Sequence, residues 1–220
     1  MENRPSREEI PVSINLQNVV LEGSLGLPAA ARGIAIFAHG SGSSRFSPRN
    51  RYVAAYLQQQ GLGTLLFDLL TAQEDTLDER TAELRFNIAF LAERLIAVTR
   101  WLSGYPEARH LKMGYFGAST GAAAALVAAA ALPAMIQAVV SRGGRPDLAA
   151  AALPQVLAPT LLIVGGEDRA VIDMNRQALA ILKSAKTLVI VPGATHLFEE
   201  PGALEQVARL AAGWFNQYII

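Results

Sequence analysis

The chain contains no cysteine. That excludes disulfides, thiolate metal sites and a cysteine nucleophile together. Histidine is nearly as scarce. His39, His110 and His196 are the whole supply, too few for a multi-histidine metal site, so no metal and no other cofactor is expected. Charged residues make up only 17% of the 220 residues, and 19 basic against 19 acidic side chains leave a formal net charge of +0. Nothing in that balance points to nucleic acid or another polyanion as partner. Long apolar runs are missing too. The longest, near Gly121 to Ile136, is mostly alanine and is broken by Pro133, so no membrane span is expected. Met1 to Glu9 is polar and lacks the apolar core of a signal peptide, which makes a cytoplasmic location the expectation.

What the chain has in quantity is small and branched apolar residues. Hydrophobic types reach 51%, and mean hydropathy is +0.27. That richness suits a sheet buried on both faces, and the length fits a single domain, 1–220. Pro11 to Leu16 and Val19 to Leu27 read as an antiparallel hairpin. Continuous apolar runs at 33–38, 62–67, 112–116, 136–141, 160–164 and 187–191 read as buried strands, giving about eight in all. Between them, helices are expected at about 48–60, 78–103, 122–132, 171–183 and 203–218, and the polar stretch from Thr71 to Glu79 reads as a surface loop. Alternation of strand and helix predicts an α/β fold with a mostly parallel twisted sheet and helices on both faces.

In such a sheet the loops at the carboxyl ends of the strands converge on one edge. Three of those loops carry residues that make chemistry together. Gly117-Ala118-Ser119-Thr120-Gly121 follows the strand at 112–116 and opens a helix, so Ser119 sits at the apex of a sharp turn. Asp168 follows the strand at 160–164, and His196 the strand at 187–191. A serine hydroxyl becomes nucleophilic when a neutral imidazole takes its proton, and a carboxylate fixes the imidazole's tautomer. Asp147 and Glu167 are alternative acids, and Asp168 also has an ordinary role open to it as a turn or capping residue. His110 precedes a strand and belongs at the opposite end of the sheet.

The G-x-S-x-G pattern at 117–121, the order Ser119, Asp168, His196, the His39-Gly40-Ser41-Gly42 loop and the Leu161-Leu162-Ile163-Val164-Gly165-Gly166-Glu167-Asp168 segment resemble the α/β-hydrolases from about residue 10 to 218. The resemblance implies Ser119, Asp168 and His196 as catalytic triad, and the backbone N–H groups of Thr120 and Ser41 as oxyanion donors. His39 then shapes its loop. Only about Arg142 to Pro159 separates two strands where larger relatives insert a cap, so no full cap domain is expected. The chain looks most like the small dienelactone-hydrolase-like group, departing from true dienelactone hydrolases by carrying serine where they use cysteine.

The implied activity is a serine hydrolase cleaving carboxylic esters through an acyl-enzyme. The alternatives are a non-catalytic, ligand-binding relative on the same fold, or an acyltransferase or perhydrolase with the same triad. Arg142, with Arg145, follows a strand at the same edge and is a candidate for holding a substrate carboxylate; pairing with local acids is the competing role. Phe198 either lines the acyl pocket or packs its loop. The expected partner is a small acyl or ester molecule. The apolar stretch Trp214 to Ile220 suits core packing or a dimer contact, leaving monomer or homodimer open.

Overall fold

Eight strands form one sheet in the order β1-β2-β4-β3-β5-β6-β7-β8. The computed structural model describes residues 9–220; the polar amino-terminal stretch read above for a signal peptide lies almost wholly outside the described residues. β1 (Ile10–Asn15) and β2 (Val20–Gly26) make the expected antiparallel hairpin. β2 pairs antiparallel with β4 (Gly63–Phe67). From β4 onward every pairing is parallel, through β3 (Gly33–Ala38), β5 (Lys112–Ala118), β6 (Ile136–Arg142), β7 (Thr160–Gly165) and β8 (Lys186–Val191). β3, β4 and β7 are buried at every residue, as their unbroken apolar runs require of strands covered on both faces.

Helices cover both faces. α1 (Pro48–Gln59) and α6 (Ala203–Tyr218) share one core layer, which includes Phe37, Phe116, Val140, Phe198, Phe215 and Ile219. The opposite layer holds α3 (Ile88–Gly104) and α4 (Thr120–Ala131), with α5 (Arg169–Ile181) joining it through Ala178. α4 is buried nearly all round, and its alanines let it lie close against the centre of the sheet. The apolar carboxyl terminus goes into the core: Phe215 and Ile219 are fully buried, and Ile219 fills the hollow above Gly33 and Gly114. Each such side chain contributes about 1.5–3 kcal/mol of burial.

One segment departs from expectation. The stretch read as a loop folds as helix α2 (Ala72–Thr81), and the long helix expected over 78–103 is split into α2 and α3. Local hydrogen bonding explains both differences. Thr71 accepts the Glu74 N–H while the Glu74 carboxylate accepts the Thr71 N–H, a closed capping box. α2 stops at Ala82, which takes a left-handed conformation, φ 55°. The buried Asp78 carboxylate then accepts the N–H groups of Leu84 (2.7 Å) and Arg85 (3.1 Å) and pairs with Arg85 Nε at 2.6 Å, holding the turn into α3. Between β6 and β7 lie only two short 3-10 turns, Pro146–Ala149 and Leu153–Gln155, and no cap domain.

Candidate active site

The site grows from contacts between strand-end loops. At the end of β5, Ser119 takes φ 51°, ψ −120°, one of three non-glycine residues at positive φ among the described residues. Such backbone is strained, at about 1–3 kcal/mol, and persists where the surroundings over-determine it. They do so here. The Ser119 N–H donates to the Arg142 carbonyl (3.2 Å), and its own carbonyl accepts from Ala122 (3.1 Å) and Arg145 (3.2 Å). Gly121 permits the turn to press on the neighbouring loop, since a Cβ there would stand 2.2 Å from the Ala38 carbonyl oxygen and 2.3 Å from that of His39. Gly40 in turn lies against Ser119, with room of only 3.1 Å for a Cβ beside the serine's own.

His196 Nδ1 donates to Asp168 Oδ2 at 2.6 Å, so the residues predicted as base and acid are brought together. Asp168 begins α5 but makes no capping hydrogen bond; its carboxylate is turned to the histidine instead. The rival acids are placed elsewhere. Asp147 takes a two-pronged pair with Arg145, at 2.9 and 2.7 Å, and that pairing holds its carboxyl below the ordinary carboxylate range. Glu167 makes no bond to His196; its backbone N–H binds the Ala194 carbonyl and ties the two loops. A Cβ at Gly165 would stand 2.4 Å from that same Ala194 oxygen, so the histidine loop can lie over the acid loop only because Gly165 lacks one. Ser119 Oγ and His196 share no hydrogen bond; they meet through the 142–145 loop, which bonds Ser119 by backbone and packs Gly143 under the His196 ring.

On the other side of the elbow, Thr120 is the first residue of α4, so its N–H has no intrahelical partner and stands at the positive end of the helix. The Ser41 N–H, the second expected oxyanion donor, gives its hydrogen bond to Thr120 Oγ1 at 3.0 Å. His39 is buried and fully engaged: Nδ1 meets the Gly40 carbonyl at 2.9 Å, and Nε2 receives the Leu69 N–H at 3.0 Å. That pattern defines the neutral tautomer with the proton on Nδ1. Burial pulls the imidazole below its ordinary value, against the opposing pulls of the Gly40 carbonyl, Asp68 and Asp75.

Of the two substrate candidates, Phe198 is 1% exposed, in the core between the sheet and α6. Packing accounts for that burial, although its positive φ of 56° sharpens the turn after His196. Arg142 is buried and forms no salt bridge among the described residues, a feature that position in the sequence does not reveal. No group of three or more acidic or histidine side chains suited to a metal occurs among the described residues. Among the described residues no helix is long and apolar enough to cross a membrane.

A solved dienelactone hydrolase from Anabaena variabilis is 61% identical, covers 98% of this chain and all of its own, and superposes with a TM-score of 0.97. Est1E from Butyrivibrio proteoclasticus, 16% identical, matches the fold over 94% of this chain and 98% of its own with a TM-score of 0.79. Two Mycobacterium tuberculosis sequences, provisionally named phosphoribosyl transferases, are 55% identical over 215 residues, 98% of this chain. The chain spans 47% of the length of those relatives. The profile of the dienelactone hydrolase family matches residues 21–218. The chain therefore belongs to the dienelactone hydrolase family.

Proposed function

We propose that this chain is a serine hydrolase acting on carboxylic esters or related acyl compounds. The observation that carries the reading is the 2.6 Å hydrogen bond between Asp168 and His196, set on adjacent strand ends beside a serine held at φ 51°. Family membership supports hydrolysis, and the serine in the elbow supports an oxygen nucleophile.

Ser119 Oγ attacks the acyl carbon as His196 Nε2 takes its proton, and Asp168 favours the imidazolium. Negative charge on the former carbonyl oxygen is met by the Thr120 N–H and by the Ser41 N–H, which exchanges the Thr120 hydroxyl for the stronger acceptor. Each donor of this kind contributes about 2.7–4 kcal/mol. The alcohol departs with the proton from His196. Water, deprotonated by the same imidazole, then attacks the acyl-enzyme and releases the acid. An alcohol, amine or peroxide in the place of water yields acyl transfer, and product partitioning with added nucleophile separates the two outcomes.

A fluorophosphonate tests the reading. The wild type should gain one adduct by intact mass, mapped to Ser119, and Ser119→Ala none. A folded wild type that stays unmodified, and releases no nitrophenol from a panel of esters, would overturn it in favour of a binding role. The name of the mycobacterial relatives raises a second reading, phosphoribosyl transfer. We assign that chemistry to the part of those relatives which this chain does not span. Pyrophosphate release from phosphoribosyl pyrophosphate and a nucleobase, unaffected by Ser119→Ala, would reverse the assignment.

A further inference from the structure

Asn175 is a polar side chain at a position where the helix pattern calls for an apolar one. The buried face of α5 runs through Val171, Ile172, Asn175 and Ala178, at the spacing of a core stripe, and Asn175 is fully buried within it. Its Nδ2 donates to the Gly144 carbonyl at 3.0 Å and to the Val171 carbonyl, one turn back on the same helix, at 2.8 Å. Both partners are acceptors, so chemistry fixes which end of the amide faces them. Oδ1 is buried and has no partner among the described residues. An orphan acceptor in the core is costly, and packing alone would favour leucine here. The use of the amide lies in what it holds outside its own helix.

What it holds is one peptide group of the 142–145 loop. The Gly144 carbonyl and the Arg145 N–H belong to the same planar, trans peptide, so they point in opposite directions. The carbonyl faces Asn175, and the N–H donates to the Ser119 carbonyl at 3.2 Å. That carbonyl belongs to the residue held at φ 51°, ψ −120°. A continuous run of hydrogen bonds therefore passes from the Asn175 amide, through one rigid peptide, to the strained elbow. Within such a run each bond polarises the next. Neighbouring contacts fix where the loop lies: the Gly143 N–H donates to the Ile163 carbonyl at 2.7 Å, and a Cβ at Gly144 would stand 2.0 Å from Ser141 Oγ. The two hydrogen bonds at its ends fix how the 144–145 peptide is turned. Asn175 thus ties the helix that Asp168 opens to the loop that touches both the His196 ring and the Ser119 backbone.

We propose that Asn175 is a positioning residue for the Ser119 elbow. Its amide orients the Gly144–Arg145 peptide, and that peptide holds the Ser119 carbonyl in the conformation that presents the hydroxyl. Asn175 acts through the backbone, since its hydrogen bonds go to two main-chain carbonyls and to no side chain of the proposed triad. The effect on rate rests on the hydrolase reading; the effect on the loop does not.

Two readouts on the full chain test the proposal. Each is made on Asn175→Leu, which keeps bulk and branching without the donor, and on Asn175→Ala, which cannot overpack. Thr99→Val is the control, because Thr99 is equally buried and hydrogen-bonded, to the Leu95 carbonyl and the Tyr115 hydroxyl, on α3. The first readout is exchange of single backbone amides followed by NMR. In both Asn175 variants the Arg145 N–H should exchange about tenfold faster relative to the core amides of β7, as loss of one hydrogen bond implies. Thr99→Val should keep the wild-type ratio. The second readout is kcat and KM on a nitrophenyl ester. A misplaced nucleophile should lower kcat by about ten- to a hundredfold in the Asn175 variants with KM little changed, and Thr99→Val should keep both. An unchanged kcat in the Asn175 variants, a fall that Thr99→Val shares, or an Arg145 exchange ratio that stays at the wild-type value would each overturn the proposal. If the wild type turns over no ester but Arg145 is selectively deprotected in the Asn175 variants, the hydrolase reading fails and the positioning of the elbow by Asn175 stands.

Discussion

Gly121→Ala is the most searching single substitution, because the added atom has nowhere to go. Its Cβ would lie 2.2 Å from the Ala38 oxygen and 2.3 Å from the His39 oxygen. Carbon–oxygen contacts are ordinarily about 3.3 Å or more, so the two segments must separate by about 1 Å. Both obstacles are backbone, and no rotamer change relieves them. Overpacking of this kind costs about 1–3 kcal/mol, and a backbone obstacle places this case at the upper end, about 3 kcal/mol. In a chain of this size each kcal/mol moves Tm by about 2–4 °C, so a fall of about 6–12 °C is expected. The separation also pulls Ser41 from Thr120 Oγ1, opening the pair of N–H groups assigned to the oxyanion. A displacement of about 1 Å at reacting groups costs roughly a hundredfold in rate. Gly213→Ala in α6 is the matched control: nothing lies within 4 Å of its Cβ, and alanine in an exposed helical position should stabilise by up to about 1 kcal/mol. Thermal unfolding and kcat/KM on a nitrophenyl ester read both. A Gly121→Ala protein with wild-type Tm and rate would refute the view that elbow and oxyanion loop are held by direct backbone contact.

Three further outcomes follow from the same geometry. Asp78→Ala should destabilise by about 3 kcal/mol in urea unfolding, the low end for a broken buried pair because Arg85 is 23% exposed; an unchanged midpoint would show that the turn between α2 and α3 stands without it. His39 is held neutral below its ordinary 6.5, so its share of stability is complete above that pH and declines as pH falls toward the lowered folded value. Urea midpoints over roughly pH 5 to 8 should therefore drop more steeply for wild type than for His39→Gln, and parallel profiles would contradict the assignment. Ser119→Gly removes a side chain from φ 51° and should raise stability by about 1 kcal/mol, net of glycine's greater freedom in the unfolded chain, whereas Ser119→Ala keeps its Cβ and gains nothing; equal Tm values for the two variants would argue against stored strain.

The strands were legible because unbroken apolar runs such as Ile34 to Ala38 and Leu161 to Val164 fit only a doubly covered sheet. The strand-end placement of Ser119, Asp168 and His196 followed from them, since a parallel sheet sends all its carboxyl-end loops to one edge. α2 was hidden by its polarity: AQEDTLDERT has no apolar face, and the helix rests on the Thr71–Glu74 box, a local signal that composition outweighed. Its end was harder still. Ala82 in a left-handed conformation carries no glycine signature, and the buried Asp78 that compels the turn looks in sequence like any surface acid. Arg142 hides for the same reason. A guanidinium at the end of an apolar strand reads as a solvated edge residue until the fold shows it buried.

These features share one physical origin. The loops of the candidate site are fixed less by side chains than by backbone pressed on backbone in series. Gly121 sets the elbow on the loop after β3, and the Ser119 carbonyl holds the 142–145 loop through the Arg145 N–H. Gly143 supports the His196 ring, and Gly165 admits the Ala194 carbonyl against the acid loop. At Gly121 and Gly165 a single methyl group would meet backbone carbonyl oxygens at 2.2–2.5 Å, and the strained Ser119 sits in the middle of the series. Position and stability are therefore coupled at this edge of the sheet. Relief of strain at Ser119 should stabilise the fold while removing the proposed nucleophile, and disturbance at either end should reach the serine through carbonyl groups rather than through side-chain repacking. The Arg142 carbonyl anchors the Ser119 N–H, so the end of β6 belongs to the same series.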